Sequence, residues 1–191
     1  MSEPTSPETP RTKRVDARRN EQSLLDAAAA VFVTSGVDAP VREIAARAGV
    51  GTGTIYRHFP TRSDLVVAVY RHQVEACAEA GPALLADSSS PRIALLAWVD
   101  LFVDFLVTKH GLAGALQNDA AGFDALHTYF VARLLPVCET LLDAAIEDTD
   151  ERISAYSLLK GVGNLCIGAG NDPNYTPRHL AQLLVSGALA A

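Results

Sequence analysis

Apolar residues recur every three or four positions through most of the chain, and no segment alternates apolar and polar residues as a half-buried strand does. Glycine, proline and capping residues interrupt this periodicity and divide it into a series of helices. Their expected ranges are 18–35, 41–48, 52–58, 62–81, 91–109, 111–118, 122–147, 150–169 and 176–190. We therefore predict an all-α fold.

Two of the predicted helices, 41–48 and 52–58, are separated only by a short turn that contains Gly49. Two short helices joined by such a turn form a helix-turn-helix. Its small core is expected to consist of Ile44, Val50, Ile55 and Phe59. The second helix of the unit can enter the major groove of DNA. Its outward residues all have hydrogen-bonding side chains: Thr52, Thr54, Tyr56, Arg57 and His58.

The stretch from about Arg18 to Val74 resembles the DNA-binding domain of TetR-family transcriptional regulators. The resemblance is carried by LLDAAAAVF, Gly36, REIAARAGV and GTGTIYRHFPTRSDL, in that order. It implies a homodimer with an N-terminal three-helix helix-turn-helix domain that binds a palindromic operator. It also implies a C-terminal helical domain that binds a small-molecule effector and dimerises. The expected mode is that of a repressor released by its effector, although an activator uses the same DNA-binding parts.

The resemblance implies seven DNA-contacting residues: Arg42, Thr52, Gly53, Thr54, Tyr56, His58 and Arg62. Tyr56 and His58 resemble the family's phosphate-binding pair, whereas Arg42 and Arg62 begin helices that face the DNA backbone. The alternatives are a solvated Arg42, a buried Tyr56 and a capping His58. The residues expected to read the bases are Thr52, Thr54 and Gly53, and at Gly53 the backbone could approach the bases closely.

Two positions depart from the family pattern. Pro40 stands where a hydroxyl residue is frequent before the second helix, and Gly51 stands where a Ser or Thr often caps the third. We expect Thr52 to cap that helix instead. At the start of the fourth helix, Thr61 and Asp64 have the spacing of a capping box.

The chain divides into three expected regions. Residues 1–15 are rich in Pro, Ser, Thr and charge and are predicted to be a disordered arm that ends in basic residues. This arm is either a solubilising leader or a contact to phosphates and the minor groove. Residues 16–75 form the DNA-binding domain, and residues 76–191 form the effector-binding and dimerisation domain.

The second domain is apolar enough to enclose an effector. Five of its aromatic residues lie on two predicted helices that we expect to be neighbours: Trp98, Phe102, Phe105, Tyr129 and Phe130. Aromatic cavities with a few polar groups are typical ligand sites, so these residues are candidates for a pocket that binds a small, largely apolar effector. Aromatic residues at helical spacing also form plain core, and this alternative stays open.

Charge is distributed unevenly along the chain. Residues 1–72 hold 10 Lys and Arg against 8 Asp and Glu, whereas residues 73–191 hold 6 against 14. The net charge of −6 therefore conceals a basic front part, which is the expected location of phosphate contacts.

Other chemistry has little support in the sequence. Cys77, Cys138 and Cys166 have no metal-ligand spacing and fit a reducing cytoplasm. The pairs Asp100/Asp104 and Glu139/Asp143 could hold a cation, with His110 or His127, but a solvated helix face is the simpler interpretation. We predict no enzymatic activity, cofactor, metal site, secretory signal or membrane span.

One alternative comes from a different functional class. A helical ligand-binding or protein-interaction module could retain a vestigial helix-turn-helix, and Pro40, Gly51 and Gly53 are the residues that favour it. An enzyme is a distant third, because no nucleophile, base and orienting group occur together in any motif.

Overall fold

A computed structural model describes residues 10–109, 120–146, 153–166 and 174–190. These residues form helices without a strand, which confirms the all-α prediction. The helices are α1 Pro10–Ser35, α2 Val41–Ala48, α3 Thr52–His58, α4 Arg62–Asp87, α5 Pro91–Lys109, α6 Ala120–Ala145, α7 Ala155–Cys166 and α8 Pro177–Ala188. The helix predicted over residues 111–118 lies outside the described residues.

Helix α1 begins earlier than predicted. It starts at Pro10, so the prediction that the arm is disordered to residue 15 is wrong for residues 10–15. Proline is tolerated at the first helical position because its missing N–H would be unpaired there anyway. The helix ends as expected: Gly36 adopts a φ of 77° and donates to the carbonyl oxygen of Phe32 at 3.1 Å.

Helix α4 continues beyond its predicted end at Gly81. It passes through Gly81-Pro82 and reaches Asp87, so residue 75, the expected domain boundary, lies within a helix that both regions share. Tertiary packing overrides the local breaking signal, because α5 and α6 both pack along α4 and Gly81 is buried at the α6 crossing. Proline also lies within α6, where Pro136 does not break the helix.

Helix α5 is the centre of the molecule and packs against α1, α4, α6, α7 and α8. Trp98 is fully buried, and its indole nitrogen donates to the carbonyl oxygen of Cys77 at 2.9 Å. Helix α7 begins at Ala155, after the predicted start at residue 150, and its predicted end at residues 167–169 lies outside the described residues. Helix α8 occupies Pro177–Ala188 within the predicted range 176–190.

Polar contacts hold α4 to its neighbours on two sides. Its Glu75 accepts hydrogen bonds from the Tyr129 hydroxyl and from both Nε and Nη2 of Arg133, which lie on α6. The bond from Arg133 is the main cause that lowers the pKa of Glu75. On another side, His72 Nε2 lies 2.7 Å from Asp26 Oδ1 on α1. These contacts connect α4 to α6 on one side and to α1 on the other.

None of the described helices combines the length and the apolarity that crossing a lipid bilayer requires.

Candidate nucleic-acid interface

The turn between α2 and α3 is set by Gly49. This residue has a φ of 68°, a left-handed conformation that favours glycine, and it terminates α2. The following Val50 donates its N–H to the carbonyl oxygen of Ala45 at 3.0 Å. This bond pairs one of the last carbonyls of α2. The left-handed Gly49 turns the chain toward α3, as the predicted helix-turn-helix requires.

Helix α3 is attached to the domain by few side chains. Ile55 is buried in α3, and Phe59 directly after the helix is buried as well; both belong to the same core cluster as Ile44 of α2. The helix begins after Gly51, which is extended at the cap position and accepts a backbone bond from Thr54 at 2.9 Å. The prediction that Thr52 caps α3 is wrong, because Thr52 is already the first helical residue and the cap position makes no side-chain bond.

The outer face of α3 is polar and open to solvent. Thr52, Gly53, Arg57 and His58 are exposed, and Thr54 is half-buried. Tyr56 is 53% exposed, which excludes the alternative of a buried tyrosine. At the start of α2, Arg42 is exposed as well. Of the seven predicted DNA-contacting residues, five are therefore exposed and Thr54 is half-buried, and none of these six is part of the buried core.

In the described part of the chain, packing does not require a glycine at position 53. A methyl group added to its Cα would meet no atom within 4 Å outside the local helix backbone. Glycine costs about 1 kcal/mol of helix propensity relative to alanine. The described packing therefore gives no reason for glycine at this position.

Arg62 differs from the other six predicted residues because its guanidinium is turned toward the protein. Nε donates to the carbonyl oxygen of Val37 at 2.8 Å, Nη2 donates to the same oxygen, and the guanidinium lies over the Phe32 ring at 5.1 Å. Burial lowers its pKa, an effect that the charges of Asp38 and Tyr56 oppose. Arg62 thus ties the start of α4 to the connection between α1 and α2.

The start of α4 is further fixed by the predicted capping box, which is confirmed. The N–H of Thr61 donates to Asp64 Oδ2 at 2.9 Å, and the N–H of Asp64 donates to Thr61 Oγ1 at 3.1 Å. Since α4 follows α3 after only three residues, this arrangement makes the position of α3 depend on that of α4.

Four of the five candidate effector residues form one buried aromatic cluster. Trp98 stacks on Phe102 with ring centroids 5.7 Å apart, and Phe130 lies 5.8 Å from Phe102 and 5.6 Å from Phe105. The fifth, Tyr129, donates its hydroxyl to Glu75 of α4, and the Arg71 guanidinium lies 4.9 Å from its ring centroid.

Tyr70 of α4 is a further residue of this region. It is buried, its ring centroid lies 5.1 Å from that of Phe105, and its hydroxyl has no hydrogen-bond partner in the described part of the chain. Burial raises the pKa of Tyr70, so the hydroxyl stays protonated. The one available signal was a tyrosine on an otherwise apolar stripe of α4.

The acidic pair on α5 has protein partners. Arg178 of α8 contacts Asp104 through Nη2 and Asp100 through Nη1 at 3.4 Å, and Gln182 donates to Asp100 at 3.0 Å. The pair therefore joins α5 to α8. Within the described ranges, no group of three or more His, Cys, Asp or Glu side chains could hold a metal ion, and His110 lies outside those ranges.

The three cysteines are buried free thiols. Burial raises the pKa of Cys77 and of Cys138 to about 12, and it raises that of Cys166 as well. Because the thiolate is the reactive form, these residues act as small buried hydrophobes.

Comparison with known proteins agrees with this geometry. Residues 24–69 match the family described as "Bacterial regulatory proteins, tetR family". A TetR transcriptional regulator of Streptomyces coelicolor, SCO0520, is 31% identical, with a TM-score of 0.72 over 89% of this chain and 96% of that one. A TetR regulatory protein of Mycobacterium vanbaalenii is 28% identical, with a TM-score of 0.67 over 92% and 98%.

A curated relative matches over a shorter stretch. The HTH-type transcriptional activator FasR of Mycolicibacterium smegmatis is 37% identical over 106 residues, which are 54% of this chain. The match spans 48% of the length of that relative.

Proposed function

The chain belongs to the TetR family of DNA-binding transcriptional regulators, and we propose that it is a homodimeric repressor that a small, largely apolar effector releases from a palindromic operator. The observation that carries the DNA-binding part is the polar, solvent-exposed face of α3, which is anchored by Ile55. Action on a bacterial operator would place the protein in the cytoplasm.

The proposed contacts fall into two groups. Arg42, Tyr56 and His58 contact phosphates and fix the register of α3 on the duplex. The face formed by Thr52, Gly53 and Thr54 reads the bases, through small side chains and a close backbone approach. For Arg62, Nε and one N–H of Nη2 are bonded to Val37, so a phosphate contact would use Nη1 or the second N–H of Nη2.

Dimerisation is proposed through α7 and α8. Each exposes a large apolar side chain, Tyr156 on α7 and Leu183 on α8. Gly163 and Gly187 lie on the same helices, with no atom within 4 Å of an added methyl group, so a second subunit could approach closely. A two-fold dimer doubles the contact of a short recognition helix on a palindrome.

Release is proposed to start at the aromatic cluster of α5 and α6, with Trp98, Phe102, Phe105 and Phe130 opening around the effector and Tyr129 at its α4 side. Since α4 packs on α5 and α6 and leads directly from α3, a shift of α4 would change the spacing of two recognition helices. An effector acts this way only if it binds the two states with different affinity. A coupling of about 1–3 kcal/mol is usual.

An activator is the second candidate, because the 37% identical relative is named as one. The same operator serves both modes, so the direction of control needs a transcription assay. Transcription in vitro from a promoter that carries the selected operator should fall when the protein is added. A rise would establish activation and overturn the repressor part of the proposal alone.

The DNA-binding part is tested by selection of duplexes from a random pool, which should yield a palindrome. Operator affinity should fall steeply with salt because phosphate contacts release counterions. Tyr56→Phe should weaken binding to every selected duplex, whereas Thr52→Ala should change preference among them. Thr140→Ala is the control for Thr52→Ala and should leave operator affinity unchanged, since Thr140 is also exposed but lies on α6, outside α3 and the proposed α7–α8 interface. Failure to enrich any sequence at low salt would overturn the proposal.

A further inference from the structure

A cavity of about 460 Å³ lies where α1, α4 and α5 meet. This junction groove is defined by Asp26 and Val33 of α1, His72 of α4, and Leu101, Asp104 and Phe105 of α5. Its volume falls within the range of about 300–1,000 Å³ that small-molecule sites occupy. None of the described lining residues belongs to α3. Phe105 is the one member of the aromatic cluster that lines the groove.

The walls of the junction groove expose apolar side chains. Val33 is 58% exposed and Leu101 is 41% exposed, although both are large apolar residues. They come from different helices and line the same cavity, together with the ring of Phe105 and several alanines. Scattered exposed apolar residues need no explanation, but a concave set of them between two regions of a protein is typical of a ligand site.

The polar groups of the junction groove favour a positively charged ligand. Asp26 and Asp104 both line it, and each uses Oδ1 for its protein partner, His72 and Arg178 respectively. Among the described lining residues there is no Lys or Arg, and His72 is the one titratable base. When the paired groups beside the groove are included, the three carboxylates of Asp26, Asp100 and Asp104 stand against the single guanidinium of Arg178, so the local charge is negative. The local potential therefore attracts cations.

We propose that the junction groove binds an amphipathic organic cation, meaning a protonated amine or quaternary ammonium group on an apolar or aromatic body. The body packs against Val33, Leu101 and Phe105, and the charge lies at the carboxylates of Asp26 and Asp104. Such a ligand touches α1 of the DNA-binding unit and α5 of the second region at once. This binding does not depend on the proposed operator or on the aromatic effector site.

The test uses the full chain without DNA and two xanthene dyes of similar size and shape, so that charge is the main difference. Fluorescence anisotropy should show that cationic rhodamine 123 binds and that anionic fluorescein binds much more weakly. The double variant Asp26→Asn, Asp104→Asn should weaken rhodamine binding about tenfold, as expected for the loss of two partly exposed ionic contacts. Leu101→Lys should weaken it too, whereas Leu101→Met should not.

Glu139→Gln controls for the loss of negative charge anywhere on the surface, because it removes an exposed carboxylate from α6, outside the groove. It should leave rhodamine binding unchanged, and thermal melting should show that each variant is folded. The proposal is overturned if the two dyes bind equally, if the double Asn variant keeps full affinity, or if Glu139→Gln weakens binding to the same extent. Because no operator enters the assay, failure to select DNA and failure to bind the dye are separate results.

Discussion

At Gly53 we expect opposite effects of one substitution on stability and on DNA binding. An added methyl group would meet nothing within 4 Å in the protein, and alanine is the better helix former by about 1 kcal/mol. Gly53→Ala should therefore raise the free energy of unfolding while it weakens operator binding, because the methyl group occupies space between α3 and the bases. Urea unfolding and operator anisotropy measure the two effects. Unchanged operator affinity would mean that the α3 backbone stays away from the DNA.

Tyr70 carries a buried hydroxyl that gains nothing from the described protein. A buried polar group without a partner costs about 1–3 kcal/mol, so Tyr70→Phe should leave the free energy of unfolding unchanged or raise it by about 1 kcal/mol. Tyr129→Phe is the matched control, because its hydroxyl donates to Glu75 and its loss should lower stability. Urea unfolding distinguishes the two variants. A clear loss of stability in Tyr70→Phe would reveal a hidden bonding partner.

At the scale of elements, local signals predicted α2 and α3 well and the end of α4 poorly. The boundaries of α2 and α3 follow from Pro40, Gly49 and the short apolar pattern, all of which act within a few residues. Gly81-Pro82 gave an equally local stop signal, but α4 continues because of packing against helices distant in sequence. The role of Arg62 was hidden for the same reason, since its partner Val37 lies 25 residues away.

The crossing of α4 and α6 is expected to depend on Gly81. A methyl group there would lie well inside van der Waals contact with Val137 Cγ1. A valine in a helix has one strongly preferred χ1 rotamer, so this group cannot move aside cheaply. Gly81→Ala should lower the free energy of unfolding by about 1–3 kcal/mol, the usual cost of overpacking. The same substitution at Gly53 should have the opposite sign, and equal effects at both positions would contradict this account of the crossing.

At the scale of the whole molecule, the basic front region and the acidic remainder suit a protein that binds DNA at one end. The sequence predicted this division, but it could not show which apolar side chains of the last helices stay outside the subunit core. In α8, Ala181 and Val185 are buried, whereas Leu183 between them is 55% exposed. The helix thus has an apolar side chain directed away from its own subunit, which is what a dimer interface requires.

Leu183→Glu should convert the proposed dimer into a folded monomer, because a charge would be buried without a partner in the α7–α8 interface. Light scattering coupled to size-exclusion chromatography measures the mass. Operator affinity should fall strongly, since a monomer reads one half of a palindrome. Leu101→Glu is the control: this leucine is also exposed but lies on α5, so the variant should remain dimeric. If Leu183→Glu stays dimeric with full operator affinity, two subunits associate through a surface other than α8.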